Sequence, residues 1–415
     1  MILSNYRIRA LVLFLILCSP NLIHAQSSSI SLDEAVEMFR NNSLERMLLG
    51  YDREAQQGNA QSYKAYPNPE IRVYRESLNA GTPIYNETTV QISQPLELLG
   101  QPFLRNKSAS ALSEAARLGF DYQEQALVAR LRSLYVQHWY ISERLAVVNQ
   151  ALQTVHEVRQ SALARKEEGT YSTVQLLRFN IEYGKYLRLR DEIQSELTHT
   201  KSRLILLLAS DDTKAEDIMF TESFSVDAVA YTEESIIEYA LHHRRDLKQI
   251  EQLIVAKDLQ YDVERRERFP DLNLDLGYKS QSNGSEGLVI GGSLKLPLFN
   301  QNKGNVIKTR AQARGTAIEL ELKKITIRNE VIATFQKVSL LQKQWKDMQG
   351  LSGNVSLLET ARISYQEGAY SLLELLDATE AYLEGQTLFY QTITEYNQAL
   401  FQLDLLSGGK LFSNQ

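Results

Sequence analysis

The segment Tyr365 to Ala378 reads YQEGAYSLLELLDA, and a shorter version, EGTYSTVQLL, stands about 200 residues earlier at Glu168 to Leu177. In both segments a glycine follows helix-forming residues, and a serine comes three positions after that glycine. Glycine readily ends a helix in the left-handed conformation, and serine is a preferred N-cap of a following helix. The two segments therefore predict a tight helix-turn-helix connection that occurs twice in the chain.

The sequence on both sides of these turns is also duplicated. PEIRVY at Pro69 to Tyr74 corresponds to PDLNLD from Pro270, and SQPLEL from Ser93 corresponds to KLPLFN from Lys295. Each half opens with helical sequence, changes from a period of 3.6 to a period of 2 after a proline, and then returns to a long helical pattern. Such an internal repeat predicts two copies of one structural plan.

The alternating segments predict two strands in each half. Leu272, Leu274, Leu276 and Tyr278 alternate with polar or small residues, and the segment after QSNGSE repeats this pattern. Strands of about 10 residues with one apolar and one polar face fit a half-buried sheet, and they also fit a transmembrane barrel with its apolar face outward. Because the smallest membrane barrels have about eight strands, four strands need further copies, which gives 8, 12 or 16 strands for two, three or four chains.

The remaining sequence is helical over unusual lengths. At about 1.5 Å per residue, the two long helices that we predict over 103–168 and 305–366 each extend roughly 90 to 100 Å. The last helix carries apolar residues every seven positions, as in a coiled coil, at Leu375, Tyr382, Phe389, Tyr396 and Leu403. The predicted fold is mainly α with a small β part.

The full predicted organisation has two repeats and three shorter segments. These are a leader over 1–25, a first repeat over 26–208, a polar connector over 209–232, a second repeat over 233–408 and a tail over 409–415. In the first repeat we predict helices over 31–66, 103–168 and 172–208 and strands over 70–77 and 87–96. In the second we predict helices over 233–268, 305–366 and 371–407 and strands over 271–280 and 287–298.

The leader has the features of a secretory signal. Arg7 and Arg9 precede the apolar run ALVLFLIL, and a small residue follows at Ala25. Cys18, the only cysteine, follows Leu17, where a lipidation motif needs a small residue, so cleavage after Ala25 is preferred to a lipid on Cys18. After that cleavage the chain has no thiol for a disulfide or a metal site.

Charge and motifs exclude several classes of function. Loss of the two leader arginines changes the formal charge from -6 to -8, whereas a nucleic-acid partner requires clustered basic residues. His242 and His243 are adjacent and point to different faces of a helix, and no nucleophile elbow or phosphate-binding loop is present. We therefore predict no enzyme, no cofactor, no metal site and no nucleic acid.

The leader, the two repeats and the EGxYSxxxLL turns together resemble the TolC-like outer membrane efflux family, and within it the heavy-metal branch with CzcC and CusC. The resemblance implies a homotrimer whose twelve strands form a barrel in the lipid of a Gram-negative outer membrane, above a helical tunnel in the periplasm. It also implies a passive exit duct for divalent metal cations, with a periplasmic adaptor protein and an inner-membrane RND pump as partners. Drugs, other organic solutes or polypeptides of type I secretion are alternative substrates, and a soluble periplasmic coiled-coil scaffold is an alternative of a different class.

The resemblance also assigns roles to residues at the two turns. The periplasmic aperture is expected at Glu374, Asp377, Tyr365, Gln175 and Arg178. The adaptor is expected to contact the tips at Gly169, Thr170, Tyr171, Ser172, Gly368, Ala369, Tyr370 and Ser371. Converging carboxylates repel each other, so a closed aperture needs a tie. The family's basic residue after the tip glycine is absent here, and the hypothesis is that Arg178 pairs with Asp377 or Glu374.

Overall fold

The fold was obtained as a computed structural model, which describes residues 28–78, 85–168, 172–208, 218–349 and 355–409. Its helices are α1 (Leu32–Asn42), α2 (Leu44–Tyr63), α3 (Gln101–Glu167), α4 (Thr173–Leu208), α5 (Glu233–His243), α6 (Arg245–Arg266), α7 (Lys303–Met348), α8 (Val355–Gln366) and α9 (Leu372–Ser407). Its strands are β1 (Ser28–Ile30), β2 (Glu70–Leu78), β3 (Tyr85–Leu96), β4 (Ile218–Phe220), β5 (Asp271–Gln281) and β6 (Glu286–Lys295). The predicted fold class, mainly helical with a small sheet, is confirmed. The predicted leader, with Cys18, lies outside the described residues.

The helical sequence that opens each repeat, predicted over 31–66 and 233–268, forms two helices in each case, separated by one break. The breaks are at Ser43, with φ -63° and ψ 124°, and at Arg244, with φ -61° and ψ 130°. Ser43 caps α2 because its hydroxyl accepts a hydrogen bond from the N–H of Arg46 at 3.4 Å. Arginine is not a usual helix breaker, and at the second break the side chain of Arg244 is buried.

The two long helices differ from each other. α3 has 67 residues and is about 100 Å long. It begins after Gly100, whose φ of 77° favours glycine, and Pro102 occupies its first turn. Its counterpart was predicted as one helix over 305–366, but α7 ends at Met348 and α8 begins at Val355. Residues 350–354, which include two glycines, lie outside the described residues.

The four long strands form one antiparallel sheet in the order β2-β3-β5-β6. Its register sorts the side chains into an apolar and a polar face. Two rows across the apolar face are Ile71, Ile92, Leu276 and Ile290, then Val73, Val90, Tyr278 and Leu288. Two rows across the polar face are Arg72, Gln91, Gly277 and Val289, then Tyr74, Thr89, Lys279 and Gly287. The apolar rows are largely exposed in the single chain.

The N-terminal strand β1 and the connector strand β4 form a small parallel sheet. The hydroxyl of Tyr135, in α3, donates to the carbonyl oxygen of Ile30 at 2.6 Å, and its ring packs edge-on against Phe220 at 5.2 Å. The sequence did not predict β1. The connector was predicted as a polar belt outside the helical body, but Val226 is buried and Phe224 packs on the cores of both repeats.

The helices lie side by side in a row rather than in a closed bundle. Beside the sheet, the neighbours are α2, α3, α6 and α7 in that order, and further from the sheet they are α4, α3, α9 and α7 with α8. The ends of the rows are therefore α2 and α4 on one side and α7 and α8 on the other. None of the described helices is long and apolar enough to cross a lipid bilayer.

Candidate functional site

The second tip turn reverses the chain between α8 and α9 in five residues. Gly368 has φ 81°, a conformation that favours glycine. The N–H groups of Ala369 and Tyr370 both donate to the carbonyl oxygen of Ser364, at 2.8 and 3.0 Å. These bonds satisfy a carbonyl group that the end of α8 would otherwise leave without a partner. The turn is therefore a defined structure rather than a loose loop.

The first turn of α9 is closed by a capping box. The N–H of Glu374 donates to the hydroxyl of Ser371 at 3.3 Å, and the N–H of Ser371 donates to Glu374 Oε2 at 2.6 Å. Hydrogen bonds to the carboxylate, first from the backbone and then from the side chain of Ser371, lower the pKa of Glu374 from its ordinary value of 4.5. The carboxylate predicted for the aperture is thus engaged at the helix start, and its side chain is exposed.

The first tip turn is described only at its two ends. Glu168 ends α3, and the N–H of Leu176 donates to the carbonyl oxygen of Ser172 at 3.2 Å. The predicted tip residues Gly169, Thr170 and Tyr171 lie outside the described residues.

A compact apolar core lies directly behind the tips. It contains Val155, Val158, Ala162, Leu176, Phe179, Ala361, Tyr365, Leu372, Leu375 and Leu376. Tyr365, which was predicted at the aperture, is only 8% exposed, and its ring packs edge-on against Phe179 at 6.1 Å. Most of the Tyr365 surface therefore joins the two tip hairpins to each other.

A groove of about 700 Å³ lies between α4 and α9, with Arg144 and Val148 of α3 among its lining residues. Asp377 and Arg178 both line this groove, whereas Gln175 and Glu374 do not. Among the described ion pairs none joins Arg178 to Asp377. The structure thus brings one predicted pair into the same groove and leaves the other two aperture residues on the surface near the tip.

The groove carries further charges that the sequence analysis missed. α9 contributes Glu380 and Glu384, and α4 contributes Glu182 and Lys185. Lys185 Nζ lies 2.9 Å from Glu182 Oε1. Burial, followed by the carboxylates of Glu182 and Glu380, raises the pKa of Tyr186 to about 12. The spacing of three and four residues from Asp377 to Glu380 and Glu384 is a helical pattern and was the available signal. The groove thus has an acidic α9 wall and a mixed α4 wall.

In the ranges that the structure describes, no group of three or more His, Cys, Asp or Glu side chains could hold a metal ion. A duplicated chain with long helices, two tip hairpins and a two-faced four-stranded sheet has instead the architecture of the TolC-like channel class.

Comparisons with known proteins show what the chain is similar to. The model of the family described as "Outer membrane efflux protein" matches residues 236–409. The cobalt-zinc-cadmium resistance protein CzcC of Cupriavidus metallidurans is 21% identical over 410 residues, which cover 94% of this chain and 96% of CzcC. The cation efflux system protein CusC of Escherichia coli K12 is 24% identical over 306 residues, 69% of this chain and 66% of CusC.

Solved structures have the same fold. A membrane protein from Pseudomonas aeruginosa has a TM-score of 0.78 at 20% identity, covering 91% of this chain and 93% of that one. A structure of CusC has a TM-score of 0.73 at 17% identity, covering 91% of this chain and 92% of that one. Residues 236–409 match the outer membrane efflux protein family, and this match agrees with the resemblance noted in the sequence.

Proposed function

We propose that this chain is the outer membrane subunit of a tripartite efflux system and forms a passive exit duct for divalent metal cations. The observation that carries the proposal is the match with CzcC, which extends over 94% of this chain and 96% of that cobalt-zinc-cadmium resistance protein. An adaptor protein at the tips and an inner-membrane RND pump supply the cargo. The duct performs no chemistry.

Loss of the gene tests the substrate. A deletion strain is expected to tolerate less zinc, cobalt, copper or cadmium, and to retain more of the affected metal, while its tolerance of dyes and detergents is unchanged. Complementation with the intact gene should restore metal tolerance. Sensitivity to dyes and detergents alone would contradict the metal substrate and favour the duct for organic solutes.

The open edges of the chain support a closed ring of copies. The sheet ends at β2 and β6, and the helical row beside it ends at α2 and α7. Both edge helices expose apolar stripes, made of Leu44, Met47, Leu48 and Tyr51 on α2 and of Ile307, Ile318, Leu322 and Ile325 on α7. When two different edges pair head to tail, repeated pairing closes a ring if the rotation between successive copies completes a full turn. Three copies would give a barrel of twelve strands, which leaves no strand edge in lipid.

Contacts within the chain show which residues of the two edges lie at one level. Three ion pairs tie neighbouring helices there, namely Arg46 with Glu124 at 2.6 Å, Arg245 with Asp121 at 3.7 Å and Lys323 with Asp246 at 3.4 Å. Leu48 and Leu322 lie within one turn of these pairs and are 67% and 62% exposed. We therefore expect Leu48 of one copy to face Leu322 of the next.

Cysteine cross-linking tests this pairing. A Leu48→Cys, Leu322→Cys chain should form disulfide-linked dimers and trimers in cells, because each copy then carries both partners. Each single variant controls for Cys18, and Leu48→Cys with Leu340→Cys controls for distance, because Leu340 is 18 residues further along α7 and also exposed. Cross-links of equal yield in the distance control would contradict the proposed edge pairing.

The adaptor contacts remain a proposal for the tip residues from Gly169 to Ser172 and from Gly368 to Ser371. The ordered turn at Gly368 supports it, because a rigid and exposed turn can dock a partner with little loss of conformational entropy.

A further inference from the structure

The apolar face of the sheet is too short for the membrane that the proposed function requires. On β5 it runs from Leu272 to Tyr278. Six residue steps of about 3.3 Å span about 20 Å along the strand, or about 15 Å along the membrane normal at a tilt of about 40°. Outer-membrane barrels present an apolar band about 25 Å tall. About 10 Å of apolar height must therefore come from elsewhere on the chain.

The missing height cannot lie on the loop side of the sheet. The next row on the same face consists of Arg75, Thr88, Ser280 and Glu286. The hydroxyl of Tyr278 is hydrogen-bonded to Glu286 there. Charged and hydroxyl groups in one row mark the upper boundary of the apolar band, with Tyr278 in the position that aromatic residues take at membrane interfaces.

The opposite end of the sheet carries the apolar surface. Where β3 and β6 end and the long helices begin, both repeats expose large apolar side chains. We name this set the junction collar, made of Leu98, Leu99, Phe103, Leu296, Leu298 and Phe299. Leu98 is 71% and Phe299 is 100% exposed. The collar follows directly on the lowest apolar row of the sheet, Leu96, Leu272 and Leu294.

The position of the first collar segment argues against a second copy as the covering surface. Leu98, Leu99 and Phe103 connect β3 to α3, and both elements are interior members of their rows rather than edges. A neighbouring copy that pairs through β2 and β6 would not reach them. For this first segment, lipid is the remaining apolar surface that is continuous with the face of the sheet. Leu296, Leu298 and Phe299 connect the edge elements β6 and α7, so for them a neighbouring copy is the competing surface.

One cation next to the first collar segment suits a phospholipid surface. Lys107 Nζ lies 4.4 Å from the ring centroid of Phe103, one turn further into α3. From Gln101 to Lys107 the helix rises about 9 Å, close to the missing height. A lysine beyond an aromatic residue is the arrangement that places a cation at the level of lipid phosphates.

We propose that the junction collar lies in the inner leaflet of the outer membrane and that Lys107 contacts phospholipid phosphates, so the membrane boundary falls inside the first two turns of α3. The proposal rests on the proposed function, because it requires the sheet to lie in lipid.

Tryptophan quenching by brominated phosphatidylcholine tests it. The native Trp139 and Trp345 are first replaced with phenylalanine, and single tryptophans are then introduced by Phe103→Trp, Phe299→Trp, Ile290→Trp or Leu340→Trp in the full chain. Each variant is reconstituted in vesicles of brominated or ordinary lipid. Ile290 is on the apolar face of the sheet, and Leu340 is an equally apolar, exposed residue far along α7.

The outcomes separate the two proposals. We expect about twofold or stronger quenching for Ile290→Trp with bromines deep in the acyl chain, and for Phe103→Trp and Phe299→Trp with bromines near the headgroup. Leu340→Trp should be unquenched. Quenching of Ile290→Trp without quenching at positions 103 and 299 would overturn only the proposal that the collar lies in lipid. Burial of the collar by a second copy, or its exposure to the lumen, would produce that result. Absence of quenching at Ile290→Trp would overturn the membrane location of the sheet itself.

Discussion

Replacement of Arg244 by alanine is expected to lower the free energy of unfolding by about 3–5 kcal/mol, because it leaves a buried carboxylate without its main partner. Arg244 is 2% exposed. Its Nε and Nη2 donate to the two oxygens of Asp246 at 2.9 and 2.7 Å, and its Nη1 donates to the carbonyl oxygen of Leu406 at 3.0 Å. One side chain thus joins the break between α5 and α6 to the end of α9.

The variant Arg130→Ala is a matched control, since its ion pair with Glu45 is exposed and should contribute about 0–1 kcal/mol. The stability of both variants is measured by the loss of helical circular dichroism on heating. Equal melting temperatures of Arg244→Ala and the wild type would contradict the predicted role of the buried pair.

The same pair predicts a pH dependence. Burial alone would raise the pKa of Asp246, but the hydrogen bond and charge of Arg244, with Lys323, hold it below its ordinary value of 3.8. A carboxylate with a lowered pKa stabilises the fold above its unfolded-state pKa and loses that contribution as the pH falls through the folded-state value. In Arg244→Ala the effect of burial, which raises the pKa of Asp246, is no longer offset by Arg244. The difference in stability between the wild type and the variant should therefore begin to shrink above about pH 4, as the variant's carboxyl group is protonated, and shrink further below about pH 4 as the wild-type group is protonated.

Neutralising the two carboxylates predicted at the aperture is expected to change ion flow through the duct. Asp377→Asn combined with Glu374→Gln removes two carboxylates per chain, and the copies of each should meet near the aperture. We expect the preference for cations over anions to fall about twofold or more, because fixed charges lining a narrow passage concentrate counter-ions. Single-channel recordings with unequal salt on the two sides of the bilayer measure this preference.

Conservative amides are preferable to alanine at these positions. Glutamine at position 374 can still accept the N–H of Ser371 and preserve the capping box, so a structural loss is separated from an electrostatic one. Of the two single variants, Asp377→Asn should lower the cation preference more than Glu374→Gln, because Asp377 lines the groove with Arg178 and Glu374 does not. Glu319→Gln, an exposed carboxylate of α7, is the control. Unchanged selectivity in the double variant would contradict the aperture role of both residues.

Much of the fold was predictable because its elements carry strong local signals. The alternation from Leu272 to Tyr278 predicts a two-faced strand, and the register places its apolar members in rows with those of three other strands. The position of the helix break at Arg244 and the β1–β4 pairing were missed because they involve contacts distant in sequence. At the break, the side chain of Arg244 is held by Asp246 and by the distant Leu406. Ile30 pairs with Phe220 across 190 residues.

The candidate site was less predictable than the fold. The glycine and serine of the second tip turn adopt the local conformations that their residue types favour, so Gly368 and Ser371 could be assigned from sequence. The direction of a side chain on a long helix depends on its neighbours. Tyr365 therefore turned out to pack against Phe179, and the groove residues Glu380 and Lys185 became apparent only when α4 and α9 were seen side by side.

The most direct test of the account is the conductance of the purified wild-type protein in a planar lipid bilayer. We expect the protein to be recovered from the outer membrane fraction and to be a trimer in detergent. After reconstitution it should give discrete, cation-preferring conductance steps, because three copies would enclose a continuous water-filled passage. A monomer recovered from the soluble periplasm that gives no conductance would contradict it, and would favour a periplasmic coiled-coil scaffold instead.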